Sequence, residues 1–240
     1  MRSPPLHIRI RGPAALFTRP ETKVERVSYE VITPSAARGV LEAVLFKPQM
    51  RWVIERIVVL NPVRLFSIKR NEVASKVPST AASWAEKNAG GSDFFADDSS
   101  NRQQRNALIL RDVDYVVTAR AELTDKAQPP EDNPIKYTEM FKRRVENGQH
   151  FHQPYLGCRE FPADVDLATG DEKPSGDVLA LGDQSLGLIL NDIQYTSPRQ
   201  AVFFEAVMRQ GVIEVPAMPP APVRAVDTSK ANRLKKGAKP

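Results

Sequence analysis

The sequence predicts an α+β fold in which a ferredoxin-like domain is followed by a small antiparallel β-domain. Over residues 1–168, segments with the pattern of strands and of amphipathic helices occur in the order β-α-β-β-α-β. That order is typical of the ferredoxin-like, or RNA-recognition-motif-like, topology, in which two helices cover one face of an antiparallel sheet. Residues 169–224 contain further strand-like segments between turn residues, and the basic, apolar-poor residues 225–240 predict a disordered tail.

The first predicted strand, residues 6–10, has a basic face. Its apolar side chains alternate with His7, Arg9 and Arg11, so a strand would bury the apolar set and expose the other three. A Gly-Pro pair at 12–13 ends it. Such a face indicates either contact with RNA or an edge strand that its charges protect from aggregation.

The first predicted helix begins at Thr33 and Pro34. The Thr33 hydroxyl can accept a hydrogen bond from a free backbone N–H, and proline suits the first helical turn. Lys47 lies in the last turn and Pro48 ends the helix. Apolar side chains on one face have the spacing of a core-facing helix: Ala37, Val40, Leu41, Val44 and Leu45. A second strand, rich in β-branched residues, follows at 51–63.

The middle of the chain contains a long polar segment. Residues 64–70 are basic and are a candidate hairpin partner, while residues 78–100 have the Ser, Ala, Gly and Asp content of a surface loop. The aspartates of this loop match no calcium-binding pattern, so we expect no metal site. Residues 101–105 have polar, planar side chains that can bond phosphates and base edges, or simply mark the exit of the loop.

The strongest strand of the sequence is predicted at 107–123. One face is polar and includes Thr118, Arg120 and Glu122, and Val116 breaks the alternation. The other face is apolar: Val113, Tyr115, Val117, Ala119, Ala121 and Leu123.

Asn133 and Pro134 repeat the cap-and-proline pattern, and Gly148 closes a second helix. The basic residues 142–144 lie in its last turn, where positive charge already suits the helix dipole, so they are weak evidence for RNA binding. A fourth strand is predicted within 161–167. The later segments with the composition of short strands are residues 178–181, 186–195 and 201–215.

Composition limits the classes of function. Lysine and arginine number 34 against 29 acidic residues, and the formal charge of +5 permits a nucleic-acid partner without requiring one. Cys158 is the only cysteine, which excludes an internal disulfide; with three histidines in the chain, a zinc cluster is disfavoured as well. We expect no cofactor. The N-terminus lacks the apolar core of a signal peptide, and no apolar run approaches the ~20 residues that span a bilayer, so we expect a cytoplasmic protein without a membrane partner.

Several stretches, in order along most of the chain, resemble the d subtype of CRISPR-associated protein five, the repeat-RNA-processing subunit of the type I-C Cascade complex. They are FTRPETKVERVSYEVITPSAARG at 17–39, KRNEV at 69–73, NRQQR at 101–105, LRDVDYVV at 110–117, LTDKA at 123–127 and YLGCREFPA at 155–163. The resemblance implies a RAMP-type version of the ferredoxin-like fold. It also implies binding of CRISPR repeat RNA, cleavage without a metal to leave a 5′ handle, and retention on that handle (the crRNA) with other Cascade subunits. Double-stranded DNA is left open as a further partner.

Metal-free RNA cleavage uses the neighbouring 2′-OH as nucleophile and needs a proton acceptor, a proton donor and a cation. The family has a Tyr or His before an aromatic-Lys-Pro triplet, and a Lys and a His on the third strand. Here Leu45 precedes the triplet 46–48, and Arg120 stands at the histidine position. Leu45 cannot transfer a proton, and Arg120 can stabilise charge but is a poor base.

The catalytic candidates are therefore Arg120 and Lys47 for charge, and His150, His152 and Tyr155 as the nearest titratable residues in sequence. Each histidine is equally compatible with an ordinary surface or packed position. Arg120 could instead form an ion pair with Glu122, a purely structural role. Cys158 is given no role, since a lone cysteine usually behaves as a small hydrophobe.

The candidate RNA-binding residues are expected to form one positive surface, continuous with Lys47: Arg9, Arg11, Arg19, Lys23, Arg26, Arg38, Arg102 and Arg105. Two other functions compete with repeat-RNA cleavage. One is a subunit that holds the 5′ handle but has lost cleavage, which the residues at 45 and 120 would allow. The other is a generic RNA- or DNA-binding module unrelated to CRISPR.

Overall fold

The computed structural model of the chain describes residues 1–22, 24–74, 99, 102–194 and 199–218. Most of the secondary-structure elements within these residues are strands, and few are helices. The elements are β1 Leu6–Ala15, β2 Arg26–Val27, α1 Pro34–Val44, β3 Met50–Val59, β4 Leu65–Val73, β5 Arg102–Leu123, α2 Pro134–Glu146, β6 Asp164–Leu167, α3 Gly176–Ala180, β7 Gln184–Gln194, β8 Gln200–Arg209 and β9 Val212–Glu214.

The strands form one sheet in the order β6-β1-β5-β3-β9-β8-β7. Every neighbouring pair along this path is antiparallel. The strand β5 has 22 residues, and only its second half lies between β1 and β3. Its first half pairs with β4, in a two-stranded extension that we call the arm, residues 65–73 and 102–110.

The helices α1 and α2 begin at the residues that the sequence predicts. The Thr33 hydroxyl accepts a hydrogen bond from the Ala36 N–H at 3.1 Å, and Asn133 Oδ1 accepts one from the Ile135 N–H at 2.9 Å. The predicted end of the first helix at residue 47 is wrong. The helix ends at Val44, because Leu45 is extended (φ −143°) and fully buried.

The predicted alternation of β5 is confirmed, and it places the core on the helix side of the sheet. The apolar face of β5 belongs to the main core cluster, together with Trp52 of β3 and Phe141 of α2, whose rings are 4.9 Å apart. Val116, which breaks the pattern, is buried on the opposite face against Val58 and Leu60. This second, smaller cluster covers part of that face.

The first strand differs from its prediction in two ways. It runs to Ala15, and it lies between β5 and β6, so both the end at 12–13 and the edge-strand alternative are wrong. The strand β6 pairs with residues 8–11 of β1 only. Beyond Arg11 that side of β1 has no partner among the described strands, so Pro13, which has no N–H, fits there.

Two further predictions are wrong. Residues 102–105 are the start of β5 and pair with β4, so this segment is a strand of the arm and not a loop exit. Residues 178–181 fall mostly in the helix α3, which Ser175 caps by accepting a hydrogen bond from the Val178 N–H. The apolar side chains of this helix are too few to reveal its period, and only Val178 is buried.

The C-terminal strands continue the sheet, since β9 pairs with β3 as well as with β8. Leu186, Ile189 and Met208 pack in the same core cluster as α1. The division of the chain at residue 168 stays a prediction. Lys23, most of the predicted loop at 78–100 and the tail at 225–240 lie outside the described residues.

Candidate functional site

One side of the sheet is turned away from α1 and α2, and polar side chains of β1, β3 and β5 collect on it. Because side chains alternate along a strand, the buried residues of these strands fix which of their neighbours point to this side. We call it the open face and define it by His7, Arg9, Glu55, Asp114, Thr118 and Arg120. Five of these six side chains were visible in sequence as a polar alternation, but their juxtaposition was not.

Arg120 is held on this face by β3 and by the N-terminus of the chain. Its Nε lies 2.9 and 2.8 Å from the two carboxylate oxygens of Glu55, and its Nη1 donates to the carbonyl of Ser3 at 2.9 Å. Nη2 makes no hydrogen bond with any described residue. A guanidinium has five N–H groups, so at least three remain for an oxyanion, and about a third of the side chain is exposed.

Glu55 lies beside Arg120 at a bulge in β3. In the register between the strands, Ile54 lies opposite Ala119 and Arg56 lies opposite Thr118, so Glu55 is an extra residue on β3. Bulges of this kind re-aim a side chain and are common next to functional sites. The carboxylate therefore orients the guanidinium while leaving its outer edge open.

The alternative ion pair between Arg120 and Glu122 is wrong. Glu122 bonds Arg51 at 2.6 Å and Arg2 at 3.1 Å, nearer the end of the strand. Partial burial would raise the pKa of Glu122, but the hydrogen bonds from Arg51 and Arg2 outweigh it and lower that pKa. Neither Arg2 nor Arg51 was a candidate from the sequence, because only the strand register brings them together.

Lys47 lies in the loop between α1 and β3. This loop is tied to the end of β5, since the Thr124 hydroxyl donates to the Pro48 carbonyl at 2.7 Å and the Thr124 N–H donates to Gln49. The Lys47 side chain is half-buried and makes no hydrogen bond or ion pair with the described residues. Leu45, the residue before the triplet 46–48, is fully buried, and its carbonyl accepts a hydrogen bond from Trp52 Nε1.

The structure does not bring the three titratable candidates to Arg120. The backbone N–H groups of Phe151 and His152 both donate to the Ala43 carbonyl, which attaches this segment to α1. His152 and Tyr155 line a groove of about 650 Å³ together with Gly39, Glu42, Ala43, Phe46, Phe151, Gln153 and Arg159. His150 instead lines a separate groove beside β6. All three side chains are exposed.

The candidate RNA-binding arginines fall into separate groups. On the open face, Arg9 makes two hydrogen bonds to Asp114, at 2.9 and 2.6 Å, and these raise its pKa. Arg11 pairs with Asp166 at 3.0 Å. Arg38 lies elsewhere, between α1 and β7, where it bonds Glu42 and Asp192. Burial alone would lower the pKa of Arg38, but these two carboxylates raise it.

A further group surrounds Glu72 on the arm. Arg26 approaches this carboxylate at 3.5 Å and Arg105 at 3.3 Å, while Arg70 pairs with Glu160 at 2.5 Å. Arg102 is exposed and has no ion-pair partner among the described residues. Arg19 lies apart from this group, with its guanidinium 5.1 Å from the centre of the Tyr29 ring.

The candidate arginines therefore do not form the continuous surface that was predicted, and Arg38 lies outside both the open face and the arm. Contact of these arginines with RNA stays a prediction.

Among the described residues, no group of three or more His, Cys, Asp or Glu side chains is arranged to hold a metal ion. None of the described helices is long and apolar enough to cross a membrane.

Comparison with known proteins gives one consistent result. Residues 6–216 match the family described as CRISPR-associated protein (Cas_Cas5), Cas_Cas5d. A protein of Mannheimia succiniciproducens named CRISPR pre-crRNA endoribonuclease Cas5d is 45% identical over 213 residues, which cover 88% of this chain and 94% of that protein. A Thermus thermophilus protein of the same name is 39% identical over 226 residues, covering 88% and 91%.

A crystal structure described as a CRISPR-associated protein superposes with a TM-score of 0.65 at 21% identity, over 93% of this chain and 97% of that one. At this identity the superposition concerns the fold alone. It agrees with the mostly antiparallel sheet and few helices described above.

Proposed function

The chain belongs to the Cas5d family of CRISPR-associated proteins, and we propose that it is an endoribonuclease that cleaves CRISPR repeat RNA without a metal ion. The observation that carries this proposal is the 45% identity, over nearly the whole chain, to a protein named for pre-crRNA cleavage. The name of that relative also points to one class of substrate, CRISPR repeat RNA. The open face, with a partly exposed arginine held in place by a carboxylate, supports the proposal chemically.

The reaction is a transfer within the RNA. The 2′-oxygen bonds to the adjacent phosphorus as the bond from phosphorus to the 5′-oxygen breaks, which leaves a 2′,3′-cyclic phosphate and a free 5′-OH. Negative charge builds on the two non-bridging oxygens. Arg120 supplies N–H donors to them from a fixed position, which is how an enzyme stabilises charge in a transition state without reorganisation.

The RNA is held by the open face and the arm. Arg9 and Arg11 lie on β1 beside the reaction centre, and Arg26, Arg102 and Arg105 extend the positive charge along the arm. The carboxylates beside Arg11, Arg26 and Arg105 are exposed or half-buried, so a phosphate can exchange with them, whereas Asp114 beside Arg9 is buried. Phosphate contacts of this kind give affinity and position, with little sequence preference.

We also infer the finer features of the family from the membership of this chain in it. The unit β1-α1-β3-β5-α2-β6, with strand order β6-β1-β5-β3, is a ferredoxin-like, RAMP-type domain. After cleavage the protein stays on the 5′ handle of the crRNA as a Cascade subunit in the cytoplasm.

A second function is favoured by one specific observation. Leu45 is fully buried where the family has a proton-transferring side chain, so a protein that binds the handle and no longer cuts is the alternative. Incubating repeat RNA with an excess of the protein in EDTA separates the two. Cleavage at one phosphate supports the enzyme, and RNA that stays intact while bound supports the binding subunit.

A generic nucleic-acid-binding module is tested by competition at physiological salt. An unrelated hairpin RNA or a double-stranded DNA of equal length competes poorly with the repeat if the protein is specific for it. Equal competition by either would contradict specificity for the repeat, and equal competition by the DNA would add double-stranded DNA as a partner.

A further inference from the structure

His7 is the histidine that the strand register brings to Arg120. It lies on β1 directly opposite Thr118 of β5, and its neighbour Leu6 lies opposite Ala119. Both His7 and Arg120 point to the open face, so they are diagonal neighbours on adjacent antiparallel strands. Residues in this relationship are roughly 7–8 Å apart, with their Cβ atoms somewhat closer, a span that a phosphate and its 2′-OH can bridge.

We propose that His7 is a catalytic residue that accepts the proton of the attacking 2′-OH while Arg120 stabilises the phosphate. The inference rests on the proposed function and deepens it. Nε2 of His7 takes the 2′-OH proton as the bond from the 2′-oxygen to phosphorus forms. The bond to the 5′-oxygen breaks with its electron pair, the 5′-oxygen takes a proton from water, and His7 later returns its proton to solvent.

The imidazole of His7 is held in one orientation. Its Nδ1 lies 3.1 Å from Oγ1 of Thr118, within hydrogen-bonding distance. Gly170 packs so closely against the ring that position 170 has no room for a side chain. A Cβ there would lie 2.9 Å from three ring atoms, and the φ of +91° also favours glycine. The His7 carbonyl accepts a hydrogen bond from the Ala168 N–H, which fixes the backbone.

Nε2 of the same ring makes no hydrogen bond with any described residue, and the side chain is half-buried. When the Nδ1–H donates to the Thr118 oxygen, Nε2 is the basic nitrogen. The arrangement of Thr118, His7 and a free Nε2 has the logic of a base oriented by a second group. Thr118 is accordingly a positioning residue.

The charges that face His7 come in opposed pairs. On β1 and β5, Arg9 is bonded to Asp114, and on β3 and β5, Glu55 is bonded to Arg120. Opposite Thr118, Arg56 of β3 pairs with Glu214 of β9 at 3.4 Å. In the segment after β6, the Glu172 carboxylate accepts the backbone N–H groups of Thr169 and Gly170. Glu172 is thus the one charge of this group that backbone N–H groups, and not an opposite charge, compensate.

The positions of the other two histidines argue against the same role for them. His152 lies against α1 in the groove with Phe46, and His150 lies in the groove beside β6. They serve as matched controls, because each is an exposed imidazole outside the open face.

The test is a single-turnover cleavage assay of repeat RNA in EDTA from pH 5 to 8.5. The parent rate should rise with pH within this range and then level off, because only a neutral imidazole can accept the proton. His7→Gln should cleave about 10²–10⁴-fold more slowly and lose that rise, while it binds a repeat RNA that lacks the reactive 2′-OH as tightly as the parent. His150→Gln and His152→Gln should keep the parent rate and profile.

Several outcomes decide the inference. If the parent cleaves and His7→Gln retains both its rate and its pH profile, His7 is not the base, and the proposed function is unaffected. If the parent itself does not cleave, the proposed function fails and the inference with it. Because His7→Gln could lose activity by misfolding, His7→Ala is measured with added imidazole: recovery of the rate supports the role, and no recovery in a folded variant contradicts it.

Discussion

Arg120 of β5 and Glu55 of β3 form an ion pair in which one guanidinium nitrogen, Nε, lies within 2.9 Å of both carboxylate oxygens. Glu55 is the extra residue of a bulge in β3. It fixes the arginine and leaves its outer N–H groups free, so the same contact can be read as structural or as catalytic preorganisation. The two interpretations make different predictions about the loss of Arg120.

Replacing Arg120 by alanine should slow single-turnover cleavage of repeat RNA by about 10²–10³-fold, the usual cost of one lost transition-state donor. RNA affinity should change little, since the other arginines remain. The exposed Arg111, which pairs with its neighbour Asp112, is the matched control, and Arg111→Ala should cleave normally. If Arg120→Ala cleaves at the parent rate and only melts earlier, the ion pair with Glu55 is structural.

The salt dependence of RNA binding tests the arm. Each phosphate contact that is lost should make the slope of log affinity against log salt shallower by roughly one unit. Arg102→Ala combined with Arg105→Ala should therefore reduce the slope by about one to two units. Lys142→Ala, on the exposed side of α2 where Lys142 pairs with Glu139, should leave it unchanged. A slope equal to that of the parent in the double variant would remove the arm from the interface.

Two glycines should respond in opposite ways to alanine. Gly157 has φ +84°, and a Cβ there would lie 2.0 Å from the Leu16 carbonyl oxygen, so Gly157→Ala should destabilise the fold by about 2–5 kcal/mol. Gly39 is inside α1 with nothing within 4 Å of an added Cβ, and Gly39→Ala should stabilise the fold by up to about 1 kcal/mol. Denaturant unfolding measures both. Similar values for the two variants would contradict the backbone geometry at Gly157.

Stability should fall on acidification partly through Glu122. Its pKa is lower in the folded than in the unfolded chain, so its pairs with Arg2 and Arg51 stabilise the fold above the unfolded value, near pH ~4.3 for glutamate. This contribution is lost as the pH falls through the lower folded value. Melting temperatures from pH 3 to 7 should show a difference between the parent and Glu122→Gln near neutrality that shrinks toward pH 3. A difference that stays constant with pH would contradict the role of Glu122.

Local patterns predicted the elements well and the site poorly, for a physical reason. Thr33 with Pro34 and the alternation of β5 report interactions between residues close in sequence, which a single chain segment determines. Arg120 was identified by its position, but its partner Glu55 is 65 residues away and is brought to it by the pairing of β3 with β5. No pattern in the sequence of β3 shows which residues of β5 lie opposite it.

His7 illustrates the same limit. Its alternation with Arg9 and Arg11 was visible, yet its distance from Arg120 is set by the pairing of β1 with β5, which are separated by about half the chain. Proximity in sequence favoured His150, His152 and Tyr155 instead, and the structure places all three away from Arg120. Strand pairing between distant segments is fixed by the whole core and by the bulges, so the site emerges only with the register.

The central claim, cleavage by the 2′-OH, is tested most directly with two repeat RNAs that differ in one oxygen. One is all-ribose, and the other carries a 2′-deoxy nucleotide immediately 5′ of the scissile phosphate. With excess protein in EDTA, we expect the first RNA to be cut to a 2′,3′-cyclic phosphate and a 5′-OH, and the second to bind equally well and stay intact. Cleavage of the deoxy RNA at a comparable rate, or an all-ribose RNA that remains whole, would contradict the account.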